Sequence, residues 1–231
     1  MARGMLDSFG YPLRGERRTD AVVAVWVLLL ANGLLPVLPL VPLSGYLLLV
    51  VGSTLDGADA PPPVMDDLRG TLRRGAGASV VVIAYLLLPV GFVLVVLVAV
   101  TTGRAGSASS LPVVAAVSVG AVALLAASYL LPVGLAGYAR TGRLRAAFDR
   151  SLLRSVGRSG RYLLSWVAAV VVLDLAGLLV GALGSVSPVG LVVATLVGAY
   201  GLLVATRLLG LGVADSGGVD AWSHDREEPS S

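Results

Sequence analysis

No cysteine and no lysine occur among the 231 residues. The missing cysteine excludes disulfides, iron–sulfur clusters and thiolate-bound zinc. His224 is the only histidine, so a site built from several imidazoles is excluded as well. Charge is scarce. Asp, Glu, Lys and Arg make up 13% of the chain, against about 25% in soluble domains. No GxSxG, HExxH or Walker pattern appears, and no set of residues meets the standard of a catalytic constellation. The chain reads as a non-enzyme with no cofactor. Nucleic acid is excluded as a partner, because no base-stacking aromatics interleave the basic residues.

What is present is apolar. Hydrophobic residues make up 56% of the chain, with a mean hydropathy of +0.89. They gather in runs of about 20 residues, the length that crosses a bilayer as a helix. The expected fold is an all-α, polytopic membrane bundle. Residues 1–20 form a polar N-terminus, 21–213 the membrane domain, and 214–231 an acidic tail that reads as disordered. The run from Ala21 to Val51 is far longer than a signal-peptide core, despite a cleavage-like Ala58-Asp59-Ala60.

Prolines 36, 39 and 42 interrupt that first run and remove backbone donors. The spacing predicts two short helices near 20–35 and 43–56 joined by a turn, or a re-entrant loop. Further spans are expected at 76–100, 111–137, 162–183 and 189–213, with Pro89 and Pro132 inside two of them. This makes about six apolar helices in three hairpins. In the segment before the third helix, Asp66 and Asp67 sit where acids cap a helix. Leu68, Leu72 and Ala76 mark one face of a short interfacial helix, with Arg69 and Arg73 on another. Asp56, Asp59, Asp66 and Asp67 otherwise read as a solvated loop.

All seventeen basic residues are arginine, and seven of them fall between Tyr138 and Tyr162. Four more lie in residues 1–20 and three in 52–75, whereas 101–110 has one and 184–188 none. The bias of basic loops toward the cytoplasm then predicts a multi-pass protein of the cell membrane with both termini on the cytoplasmic side. On a helix, Leu144, Phe148, Leu152 and Val156 form one face, and Arg150, Arg154, Arg158 and Arg161 another. The expectation is an amphipathic connector lying in the interface, apolar face in lipid and guanidinium groups at anionic head groups. Tyr138, Tyr162 and Trp166 are expected as an interfacial aromatic belt.

Asp174 is the one ionisable residue deep in a span. It reads either as a proton relay or cation site, or as a neutral hydrogen bond between helices. Antiparallel packing of the last two spans places Thr195 and Tyr200 nearest in depth as its partners. Gly177 and Gly181 form a small-xxx-small pair in the same span, which allows another helix close approach within the bundle or from a second copy. Asn32, Ser118 and Ser128 are expected to bond to neighbouring helices. AYLLLPVG at 84–91 echoes SYLLPVG at 128–134.

Several of these stretches resemble a known family: YPLRGERRTDAVVAVWVLLLANGLL at 11–35, GYLLLVVGSTLDGADAPPPVMDDLRGTLRRG at 45–75, GYARTGRLRAAFDRSLLRS at 137–155 and VGAYGLLVATRLLGLG at 197–212. The chain is similar over residues 8–213 to the multi-pass membrane proteins of DUF4013, a family of unknown function common in halophilic archaea. It departs at Val64-Met65, where many members carry Trp or Phe. The resemblance implies a multi-pass helical fold and brings no activity with it. The function expected from the residues is a non-enzymatic accessory or assembly protein contacting lipid, or a protein partner, through its arginine-rich segments. The alternative is a small transporter or channel using a cavity around Asp174.

Overall fold

A computed structural model describes residues 7–14, 19–35, 37–63, 67–104 and 110–217. The element order is a 3-10 turn Tyr11–Leu13, α1 Asp20–Leu34, α2 Leu40–Leu55, α3 Leu68–Thr101, α4 Leu111–Thr141, a 3-10 turn Leu144–Phe148, α5 Arg150–Gly157, α6 Gly160–Gly184 and α7 Pro188–Ala214. No strand occurs among the described residues. Four helices are long and apolar enough to cross a membrane: α3, α4, α6 and Val189–Ala214 of α7. The other two apolar helices, α1 and α2, have 15 and 16 residues. At 1.5 Å per residue each is only ~22–24 Å long.

The expected interfacial helix before the third span is not a separate element, because α3 runs unbroken for 34 residues. Nothing at its junction breaks the helix, and its first turn is capped. The carboxylate of Asp67 accepts from the Gly70 backbone N–H at 2.8 Å, as expected of that acid. Its companion Asp66 lies outside the described residues, as do the tail from residue 218 and Arg226. α4 continues through Pro132 to Thr141 and stops at Gly142, whose φ of +65° is the left-handed conformation that closes a helix.

α2 and α7 form the centre. Val25, Leu43, Tyr46, Val50, Ala199 and Leu203 pack together at the meeting of α1, α2 and α7. Val51, Leu55, Val133, Ala136, Leu152, Val156, Tyr162 and Val213 make a second cluster that joins α5 to the bundle. α2 and α3 meet backbone to backbone. A Cβ on Gly45 would fall 2.1 Å from the Thr71 carbonyl oxygen, and one on Gly75 would fall 1.9 Å from that of Val41. Ser44 Oγ adds a bond of 3.2 Å to the Gly75 carbonyl across this contact. The outer faces of α3, α4 and α6 are sheathed in exposed aliphatic side chains such as Leu88, Val122 and Leu178. An apolar surface of that extent belongs in hydrocarbon, where every backbone group must already be satisfied.

Candidate functional site

The polar groups concentrate where α2 ends. Two arginines from different helices hold the residues that follow it. Arg140, at the end of α4, donates to the Leu55 carbonyl at 2.9 Å and lies 3.8 Å from the carboxylate of Asp56. Arg207, in α7, is 7% exposed. Its Nη1 donates to Thr54 Oγ1 at 3.2 Å and to the Ala58 carbonyl. Its Nη2 stands 3.7 Å from the outward-facing carboxylate of Asp59. A helix leaves its last carbonyls without partners; Arg140 supplies a donor to that of Leu55, the last residue of α2, and Arg207 supplies one to the Ala58 carbonyl in the loop beyond it. Asp56 and Asp59 stay exposed in the loop, and each lies beside one of these guanidinium groups, at 3.8 and 3.7 Å.

The N-terminal segment seals this arrangement. The Tyr11 ring lies over the Arg207 guanidinium, 4.5 Å from its centroid, a geometry that favours the cation. Its hydroxyl is 3.5 Å from Ser53 Oγ. Burial pushes the Tyr11 hydroxyl above its ordinary pKa, against smaller lowering effects from Ser53 and Arg207. Tyr200 Oη donates to the Phe9 carbonyl. The stretch expected as a plain polar terminus thus includes a buried anchor. The counterpart of this anchor is Arg207. An arginine alone inside an apolar run, ATRLLGLG, is the signal that marks it.

The arginine-rich connector differs from its expected form. It does not run as one helix: Leu144–Phe148 is a 3-10 turn, and α5 begins only at Arg150. Asp149 caps α5, accepting from Ser151 N–H at 2.8 Å and from Ser151 Oγ at 2.7 Å. Those bonds hold its carboxyl below the usual Asp value. Only half of the connector's apolar face turns into the protein. Leu152 and Val156 are buried within the protein, while Leu144 and Phe148 stay exposed. Two tyrosines fasten the connector to the bundle, Tyr85 through the Ala147 carbonyl at 2.6 Å and Tyr129 through that of Gly157 at 3.0 Å. They are the tyrosines of the two echoed stretches. Tyr138 and Tyr162 are buried in the bundle and form no interfacial belt.

Trp166 and Tyr162 have a local task. Pro132 has no N–H for the carbonyl of Ser128, four residues earlier, and its ring crowds that turn. Trp166 Nε1 donates to the Ser128 carbonyl at 3.2 Å, and Tyr162 Oη to the Tyr129 carbonyl at 2.6 Å. The helix passes the proline because its neighbour repairs it.

On the outward side of the connector, Arg150, Arg154, Arg158 and Arg161 are all exposed. Arg161 reaches the Asp215 carbonyl at 3.4 Å. Arg150, Arg154 and Arg158 have no partner among the described residues. Arg69 and Arg73, in the first turns of α3, are exposed in the same way.

Asp174 is not gathered with Thr195 and Tyr200. Thr195 Oγ1 accepts from Trp26 Nε1 at 3.2 Å, and Tyr200 is engaged with Phe9. Asp174 is exposed. It lines a groove with Gly177, Leu178 and Gly181 in which every lining residue belongs to α6, so this is a recess in the outer surface and not a cavity between helices. The other polar span residues also bond locally: Ser118 to the Val114 carbonyl, Ser128 to that of Leu125, and Asn32 Oδ1 to the Val37 N–H at the turn after α1. Small hydroxyls and amides reach their own backbone more readily than a neighbouring helix.

No curated protein and no solved structure matches the chain. A family model does, over residues 28–185, and its description is "Protein of unknown function (DUF4013)". That match takes in the second half of α1, all of α2, the first two long spans, the connector and α6, so the chain belongs to the DUF4013 family.

Proposed function

We propose that this protein is a non-enzymatic accessory or assembly protein of the membrane, which engages anionic lipid head groups through the arginines of its connector. One observation carries the reading. Arg150, Arg154 and Arg158 are exposed and unpaired among the described residues, while Leu152 and Val156 of the same helix are buried. The helix is thus fixed to the bundle with its guanidinium groups pointing away. Such groups bind phosphate in forked geometry, and each is worth roughly 1 kcal/mol beside an anionic leaflet.

The threading that fits this role has three hairpins and both termini at the cytoplasmic face. Trp26 meets Val192 and Thr195, whereas Tyr11 meets Arg207. This supports α1 running opposite to α7. The end of α2 returns to Arg207 through Thr54, so the pair leads out and back. The arginine counts favour the connector's side as cytoplasmic.

The test uses the full-length chain in nanodiscs of phosphatidylcholine with or without phosphatidylglycerol. Native mass spectrometry should find anionic lipids retained by the wild type. The combined variant Arg150→Gln, Arg154→Gln and Arg158→Gln should lose most of them while remaining inserted. Equal retention by both would overturn the proposal.

A further inference from the structure

We infer that the outer face of α6 around Asp174 is the contact surface for a second copy of this chain within the bilayer. This does not depend on the arginine row. Three separate features meet there. First, the groove is open: a Cβ added to Gly177 or Gly181 would touch nothing within 4 Å, unlike one on Gly201 of α7, which would meet Ala176 on the opposite side of the same helix at 2.8 Å. The glycine backbone on the groove side therefore has no neighbour among the described residues. Second, Asp174 has no hydrogen bond or ion pair among the described residues, although it lies mid-way along a helix apolar enough to cross a membrane. Carboxyl groups at that depth ordinarily face protein. Third, the remaining wall is aliphatic, with Leu173 and Leu178 exposed.

The occupant follows from self-complementarity. In a two-fold dimer the same patch must serve both sides. A carboxyl group can do this, since one member of a pair donates a proton that the other accepts. A flat glycine surface also can, because two such surfaces approach each other without clash. Asp174 precedes Gly177 by three residues and Gly181 by seven, so all three fall on one stripe of the helix. Two α6 helices crossing at this stripe would bring their carboxyl groups together and cover their exposed glycines. No exposed arginine of the described residues lies within the four spans at a comparable depth to serve as an alternative partner from a second copy.

The absence of native cysteine makes the test direct. Leu178→Cys places a thiol in the groove, and Leu88→Cys places one on the exposed face of α3. In native membranes, oxidation should give a disulfide-linked dimer for Leu178→Cys and none for Leu88→Cys. In liposomes at decreasing protein-to-lipid ratio, single-molecule photobleaching should show a dimer. Asp174→Leu or Gly177→Ile should weaken it by roughly three- to ten-fold, the range for single interhelical contacts in bilayers. Asp174 is exposed and a Cβ on Gly177 meets nothing within 4 Å among the described residues, so both variants should melt with the wild-type monomer. The inference is overturned by a monomer at every ratio. It is equally overturned by a dimer indifferent to both substitutions, or by Leu178→Cys linking only to a different protein.

Discussion

Arg207 stands out among single residues. A guanidinium group removed from water needs its donors used, and Thr54 Oγ1, the Ala58 carbonyl, the Tyr11 ring and Asp59 surround this one. Replacing it with leucine would leave the half-buried Ala58 carbonyl without a donor and Tyr11 without the charge beneath it. We expect Arg207→Leu to lower stability by about 2–4 kcal/mol, read as an earlier thermal transition in detergent. Arg158→Leu, at an exposed and unpaired position, should shift it by no more than ~0.5 kcal/mol. If the two variants melt together, the clamp at the end of α2 contributes nothing to the fold. The sequence singles out Asp174 by its rarity in an apolar span, and Arg207 is just as isolated in its own. Their opposite fates are not legible there. α6 is apolar on every side, so no periodicity tells which face is covered.

At the level of elements, the helices were largely readable because length and proline punctuation set them. The two short helices, the turn at 37–39 before the second, and the four long spans all follow from the lengths of apolar runs. What periodicity could not give was the connector. Leu144 to Val156 fit a single amphipathic helix on paper, yet Asp149 caps a new helix in the middle of that run, and Tyr85 and Tyr129 hold the two parts from other helices. Contacts between residues 28 and 62 positions apart leave no local mark. The repair of Pro132 is of the same kind and can be tested as a pair. Trp166→Phe removes the donor to the Ser128 carbonyl and should cost ~1–2 kcal/mol. Pro132→Ala restores a backbone N–H to that carbonyl. In the Pro132→Ala background, Trp166→Phe should therefore cost markedly less, measured as the coupling in a double-mutant cycle of thermal stability. An equal cost in both backgrounds would mean that the indole N–H is not what lets α4 pass its proline.

For the molecule as a whole, the exposed aliphatic sheath on α3, α4 and α6 and the polar clamp near the end of α2 divide the surface into zones. The sheath suits hydrocarbon; the clamp and the arginines of α5 suit an aqueous boundary. The end of α2, the end of α4 with Arg140, and the connector with α5 lie together. If these form one face of the membrane protein, the turn between α6 and α7 must lie at the other, because α6 starts beside α5 and runs 25 residues away from it. At 1.5 Å per residue that is about 37 Å, longer than the ~30 Å hydrocarbon layer. Ser155 of α5 and Ser185 after α6 are both exposed, and cysteine at each is the only thiol in its variant. In sealed vesicles of one orientation, a membrane-impermeant maleimide should label one variant at once and the other only after the membrane is opened. Labelling of both from the same side would mean that α6 does not cross. The connector and the α6–α7 turn would then share a face, and the three-hairpin threading, with the arginine row at the cytoplasmic leaflet, would have to be abandoned.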